Sequence, residues 1–270
     1  MYLLEIKVKL KKKFINDDMI DVLEEFAGAL HRNGNIYGKY IVNRISSDAI
    51  VFLARLPEQS SIDKNNLSPW ASTKLKEIEK VCSGKIYYKI SGDTISDIKK
   101  EYNKTENLIM FAHAFSETSQ LRSGTNGMPI PFYYLKYDLK ILDRLYFWYK
   151  EYIHYDNLWL SSGPLEIPIY KQLADVNSDF NKNGLSIAKS ISKLTKKRTY
   201  YYLQRYWGLK SGEEERVCPN CGSNWYVHSD ELKESAGLRW FNFQCHKCFL
   251  VSHLGVSYDN NRYAKIGLYR

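Results

Sequence analysis

Tyr2-Leu3-Leu4-Glu5-Ile6-Lys7-Val8-Lys9-Leu10 places an apolar residue at every second position, the period of a strand with one buried face. The period then changes. Ile20, Leu23, Ala27 and Leu30 recur at helical spacing, Asn16 and Asp17 can cap the start of that helix, and Asn33-Gly34 ends it. Residues 37–44 and 49–56 read as two strands joined by 45–48. Ser68-Pro69 is a cap followed by proline at the first helical position, and Gly84 closes that helix. Ile86, Tyr88 and Ile90 alternate along a last strand, 85–91. The sum over 1–92 is β-α-β-β-α-β, the ferredoxin-like split arrangement of an α+β protein. That fold hosts many functions, RNA binding among them, so it decides none. No RNP-type aromatic motif lies on its predicted strands.

Beyond residue 92 the pattern is less regular. Residues 93–107 are polar and read as a connector, 108–115 as a strand, and 121–129 as a turn-rich loop before 130–135. A helix is expected over 138–155, with Leu142, Leu145, Tyr149 and Tyr152 on one side. Pro168 marks the start of another, and 185–196 of a third with Leu185, Ala188, Ile191 and Leu194 as its apolar side. Residues 199–207 read as a strand. The expected division is a ferredoxin-like domain over 1–92, a mainly helical middle region over 93–198, and a β-rich C-terminal domain over 199–270.

With 270 residues, 44% hydrophobic and 26% charged, the chain is globular rather than disordered. Its longest uncharged apolar run, 49–54, is far short of the roughly 20 residues that cross a bilayer. The N-terminus lacks the apolar block and cleavage site of a signal peptide. A soluble, cytoplasmic protein is expected. The net charge of +9 is concentrated. From 181 to 212 there is no Asp or Glu, while Lys182, Lys189, Lys193, Lys196, Lys197, Arg198, Arg205 and Lys210 are basic. Such a stretch is either a solvated helix face or a surface for a polyanion.

Four of the five cysteines pair by spacing: Cys218-Pro219-Asn220-Cys221-Gly222 and Cys245-His246-Lys247-Cys248. Each C-x-x-C turn presents two thiolates, and two facing turns complete a tetrahedral Cys₄ site. With strands expected over 224–228, 239–244 and 249–253, this is a zinc ribbon holding a single structural Zn²⁺. A redox C-x-x-C opens a helix after a strand, and neither copy has that setting. His246 and His253 are expected as surface groups beside the ligands, and Cys82 as a small buried hydrophobe.

No phosphate-cradling loop, G-x-S-x-G or H-E-x-x-H occurs. Asp17-Asp18 and Glu24-Glu25 are helix neighbours that do not face each other, and His113 reads as a satisfied core residue. A non-catalytic protein is expected.

Tyr200-Tyr201-Tyr202-Leu203, then Cys218-Pro219-x-Cys221-Gly222-x-x-Trp225, then Phe243-x-Cys245-x-x-Cys248 with Val251-Ser252, resembles bacterial proteins described as zinc-ribbon-containing with a suspected nucleic-acid-binding role. Leu158-Trp159-Leu160-Ser161-Ser162 fits the same pattern. The resemblance implies a zinc site and a binding role. In that pattern a further C-x-x-C occupies the loop matching 121–126. Here those positions are Ser123 and Asn126, which argues against a second metal.

The leading expectation is a binding protein that contacts nucleic acid or a ribonucleoprotein through a basic aromatic surface made by Lys196, Lys197, Arg198, Tyr200, Tyr202, Arg205 and Trp207. Cations neutralise phosphates and rings stack on unpaired bases. On a strand Tyr200, Tyr202 and Gln204 share one face and Tyr201, Leu203 and Arg205 the other, so one tyrosine set is core. The second reading is an immunity protein, an antitoxin that binds and neutralises a bacterial toxin through a rigid charged surface.

Overall fold

A computed structural model describes residues 1–11, 18–93, 97–135, 138–227 and 237–268. Two compact units result: 1–99 with 117–119 and 131–142, and 100–116 with 120–130 and 143–270. The expected caps Asn16 and Asp17 lie outside the described residues, as does His228 at the end of the expected strand 224–228.

The first unit follows the expected order: β1 (Tyr2–Lys9), α1 (Asp18–Arg32), β2 (Tyr37–Ser46), β3 (Ala49–Leu56), α2 (Pro69–Val81) and β4 (Tyr87–Gly92). The sheet order is β2-β3-β1-β4, with every neighbouring pair antiparallel. This is the ferredoxin-like arrangement. The alternation of β1 sends Tyr2, Leu4, Ile6 and Val8 into a core shared with Leu23, Ala27 and Leu30 of α1 and Ala71 and Ile78 of α2. Ser68 caps α2 by accepting from the Ala71 N–H at 3.1 Å. Cys82 caps its far end and is buried, the small hydrophobe expected. Residues 117–119 and 131–142 complete this unit: Glu117 pairs with Arg55, and Glu58 Oε1 accepts the hydroxyls of Tyr133 at 2.6 Å and Tyr134 at 2.9 Å.

The second unit is built on a five-stranded sheet. Its strands are β5 (Asn107–Met110), β6 (Leu121–Ser123), β7 (Arg198–Tyr202), β8 (Phe243–Cys245) and β9 (Leu250–Ser252), in the order β6-β5-β7-β9-β8. β5, β7 and β9 are parallel neighbours. Between β4 and β5 lies α3 (Ile98–Lys104), in the stretch expected as a connector. Between β6 and β7 run α4 (Leu139–Leu160), α5 (Glu166–Ala174) and α6 (Asp179–Thr195), and α7 (Asn261–Ala264) follows β9. Residues 132–135 form a 3-10 turn.

The expected division at residue 198 does not hold. β7 sits between β5 from the middle region and β9 from the C-terminal region, so backbone hydrogen bonding joins the two stretches in one unit. Parallel strands need covering on both faces. Against one face of β7, Tyr201 packs on Trp148 of α4, with ring centroids 5.8 Å apart, and donates its hydroxyl to Asn181 Oδ1 of α6 at 2.7 Å. Gly184 of α6 faces the same ring. Helix propensity alone would favour Gly184→Ala by about 0.5–1 kcal/mol. A Cβ there, however, falls inside contact distance of the fully buried Tyr201 ring, and overpacking costs about 1–3 kcal/mol. Gly184→Ala is therefore expected to lower the denaturation midpoint; an unchanged or raised midpoint would contradict this packing.

Candidate metal centre and cationic surface

The two C-x-x-C turns face each other. The Sγ atoms of Cys218, Cys221, Cys245 and Cys248 all lie within 4.8 Å of one another. In the first turn the Gly222 N–H donates to Cys218 O and the Cys218 N–H to Ser223 O, both at 2.8 Å. This closure puts Gly222 at φ 71°, a conformation glycine adopts without steric cost. The second turn joins β8 to β9 and places Phe249 in the matching position at φ 56°. A side chain there costs about 1–2 kcal/mol. The Phe249 ring offsets this by packing edge-on to Tyr200 at 5.6 Å.

All four thiols are free rather than bridged. Asn220 Nδ2 donates to Cys248 Sγ at 3.1 Å, the Cys248 N–H to Cys245 Sγ at 3.4 Å, and Ser223 Oγ lies 3.4 Å from Cys221 Sγ. Hydrogen bonds to sulfur favour the thiolate. The Ser223 contact brings the Cys221 pKa down to about 6, while burial pushes Cys248 up to about 11 and Cys218 well above the usual thiol range. A bound cation reverses that burial effect, because a coordinating thiol is deprotonated outright. The donor set fits a metal. A tetrahedron with metal–sulfur bonds of about 2.3 Å spaces its sulfurs by about 3.8 Å, and Cys221 Sγ lies 3.6 Å from Cys245 Sγ. Four protein ligands leave no open position for a substrate.

The centre is tied directly into the sheet. The Gln244 N–H donates to Trp225 O at 2.6 Å and the Val227 N–H to Asn242 O at 2.8 Å, which pairs the chain after the first turn with β8. On the other side, Tyr201 N–H donates to Phe249 O and Leu203 N–H to Val251 O, at 2.8 and 2.9 Å. His246 is exposed as expected, its Nδ1 lying 2.6 Å from the Tyr200 hydroxyl. His253 is not a surface group: its ring stacks on Phe241 at 4.7 Å, and burial pushes its pKa down to about 4.

The expected basic aromatic surface divides. Lys196 and Arg198 are exposed. Lys197 is half-buried; its Nζ donates to Thr105 O at 2.6 Å and lies 5.2 Å from the Tyr102 ring centroid. Tyr200, Tyr202, Arg205 and Trp207 are buried, so they form no such surface. The alternation along β7 is real, but both faces are covered: Tyr201 by α4 and α6, Tyr200 and Tyr202 by Phe249, Phe111 and Phe241. Trp207 packs edge-on to Tyr170 at 4.7 Å. Arg205 is buried against Glu213 and donates to Ile266 O at 2.7 Å and Ala264 O at 2.6 Å.

A cationic surface does exist, further along the helix than the rings suggested. Lys182, Lys189 and Lys193 are exposed on α6. Their spacings of seven and four residues keep them within about 20° of one line along the helix. Lys196 and Arg198 follow beyond its end. Exposed Arg144 of α4 reaches Ser186 Oγ at 3.1 Å and joins the same face. Lys182 meets Asp179 at 3.9 Å, both well exposed, a pairing worth little. Among the described residues no carboxylate pairs with Lys189, Lys193, Lys196 or Arg198. No helix among them is long and apolar enough to cross a membrane.

Three family profiles match, each described as a domain of unknown function: DUF8589 over residues 1–92, DUF2310 over 102–204 and DUF8594 over 208–259. The five-stranded sheet draws strands from both of the last two. No curated protein matches. Among solved structures, the chain is similar to Rv0793 from Mycobacterium tuberculosis (10% identity, TM-score 0.29, 35% of this chain and 98% of that one). It is also similar to SnoaB, a cofactor-independent oxygenase from Streptomyces nogalater (8%, 0.28, 36% and 97%), and to a conserved protein from Methanosarcina mazei (9%, 0.30, 34% and 92%). Likenesses this distant carry no functional argument.

Proposed function

We propose that this chain is a non-catalytic nucleic-acid-binding protein in which structural Zn²⁺ on Cys218, Cys221, Cys245 and Cys248 fastens the ribbon to the sheet. Thiolate-only coordination suits Zn²⁺. The observation that carries the binding reading is the line of Lys182, Lys189 and Lys193 exposed along α6 and continued by Lys196 and Arg198 beyond its end, where Lys189, Lys193, Lys196 and Arg198 meet no carboxylate among the described residues. Between Lys182 and Lys193 the line runs about 16 Å at about 1.5 Å per residue, long enough to meet more than one phosphate.

The test is an equilibrium titration of the full chain with short labelled RNA and DNA at several salt concentrations. Affinity should fall with salt by a log–log slope of about −0.7 to −0.9 per neutralised phosphate. Lys189→Glu with Lys193→Glu should weaken every sequence alike and flatten the slope by about two units, with the melting temperature unchanged because both side chains are solvated. Absence of binding at low salt overturns the reading. Salt-insensitive capture of a single protein partner would replace it with the toxin-neutralising alternative.

A further inference from the structure

The carboxyl ends of β5, β7 and β9 meet at a cluster of rings that neither the metal centre nor the cationic helix uses. In open sheets, ligand sites form beyond the carboxyl ends of parallel strands, where the chain leaves each strand and side chains converge. Phe111 follows β5, Tyr202 ends β7, and His253 follows β9. Phe111 meets Tyr202 at 4.7 Å and Trp240 at 5.4 Å, both edge-on, and Trp240 in turn meets His253 at 4.9 Å. From Phe111 the rings continue outward to His113 at 5.5 Å and on to Phe115 at 6.4 Å.

The inner rings are covered and the outer ones are not: Phe111 is 5% exposed, Trp240 47% and Phe115 80%. A shallow cleft opens between Ile109, Phe111, Arg122, Asn126, Trp240 and Phe241. The Arg122 guanidinium lies 5.6 Å from the Phe111 ring centroid, held by Gly127 O and Ser116 Oγ, each at 3.2 Å. Asn126 Oδ1 accepts the Met128 N–H at 3.0 Å, which fixes an exposed amide at the rim. The floor is thus aromatic, the rim holds a planar cation and an amide, and the outermost rings stand in water. Burial holds the His113 and His253 pKa values below the usual imidazole value, so at neutral pH the positive charge of the cleft is that of Arg122.

We propose that this cleft binds an unpaired nucleobase, with Trp240 as its stacking face and Arg122 and Asn126 at the base edge. The inference rests on the nucleic-acid reading above and sharpens it to single strands, since paired bases within a duplex have no free face to stack on these rings. Bases carry a flat face for Trp240 and polar edge groups for an amide and a guanidinium.

The experiment compares the full chain with Trp240→Ala, Trp240→Phe and Phe115→Ala, using short labelled single-stranded RNA, the matching duplex, and adenosine monophosphate as a competitor. Trp240→Ala should weaken single-strand binding by about 5- to 100-fold, with the salt slope unchanged because no phosphate contact is lost. Trp240→Phe should recover most of that loss, and Phe115→Ala, an exposed ring outside the cleft, should bind as the parent. Metal content should not move, and Trp240→Phe should keep the melting temperature, which separates lost stacking from lost packing because the Trp240 ring also rests on Phe111, Phe241 and His253. Competition by the mononucleotide would locate recognition in the base itself; binding only of the strand would require neighbouring phosphates as well. If RNA binds with a steep salt slope but Trp240→Ala binds as tightly as the parent, the cleft assignment fails and the cationic helix stands. If the parent binds no RNA, DNA or nucleotide, both fail together.

Discussion

Cys218→Ser is expected to unfold the region around both knuckles and to release β9 from β7, while the first unit stays folded. Structural zinc sites contribute apparent binding energies of about 10–16 kcal/mol at neutral pH, and that energy is folding energy where the site does not pre-exist. In this chain the cost reaches beyond the ribbon. The hydrogen bonds from Tyr201 to Phe249 O and from Leu203 to Val251 O are held in register by the second knuckle. Amide exchange at Tyr201 and Leu203 should therefore accelerate in Cys218→Ser, and in the parent after chelation. Amides of β1 and β3, which pair only with each other and with β2 and β4, should keep their protection. Uniform loss across both units would mean that the metal supports a single cooperative fold. Unchanged protection at Tyr201 would mean that the strands hold without it.

Glu213→Ala is expected to cost about 3–5 kcal/mol, the range for removing one partner of a buried ion pair. Glu213 is 6% exposed, between Arg205 at 1% and Arg216 at 3%. Its Oε1 accepts from Arg216 Nη1 at 2.8 Å and its Oε2 from the Leu209 N–H at 2.8 Å. Arg216 also lies 5.0 Å from the Phe243 ring centroid, and burial together with the Arg205 charge pushes its pKa down to about 10. A single carboxylate thus serves two buried guanidinium groups. Removing it leaves both uncompensated, whereas Glu213→Gln keeps an acceptor and removes only the charge. Denaturant unfolding should rank the parent above Glu213→Gln and that above Glu213→Ala. Equal stability of all three would show that the two arginines are satisfied by the carbonyls of Ala264 and Ile266 and by ring stacking alone.

The ferredoxin-like half was legible because its information is local. The alternation of β1, the apolar face of α1 and the Ser68-Pro69 cap each speak within a few residues. The Cys₄ cluster was legible because ligand spacing is a local property of a tight turn. The burial of Tyr200, Tyr202 and Trp207 was not. A short apolar run reads the same whether one face or two are covered, and the covering elements lie far away in sequence: Phe111 before β7, Phe241 and Phe249 after it. The same separation hid the union of 93–198 with 199–270, which depends on β7 pairing with strands on both sides of it in the chain. Glu213 stands in the charged run Glu213-Glu214-Glu215, and only tertiary packing sets it apart from its exposed neighbours. Trp240 was read into a strand over 239–244 and Phe115 into one over 108–115, but the strands are shorter, 243–245 and 107–110, and leave both rings outside them.

Elemental analysis of the full chain purified without added metal, paired with amide exchange before and after chelation, should find zinc in a one-to-one ratio with the chain, its removal by chelator, and loss of protection at Tyr201 and Leu203 as it leaves. Iron at the site, or a metal-free chain whose β7 and β9 amides are as protected as the rest of the sheet, would contradict that role for zinc.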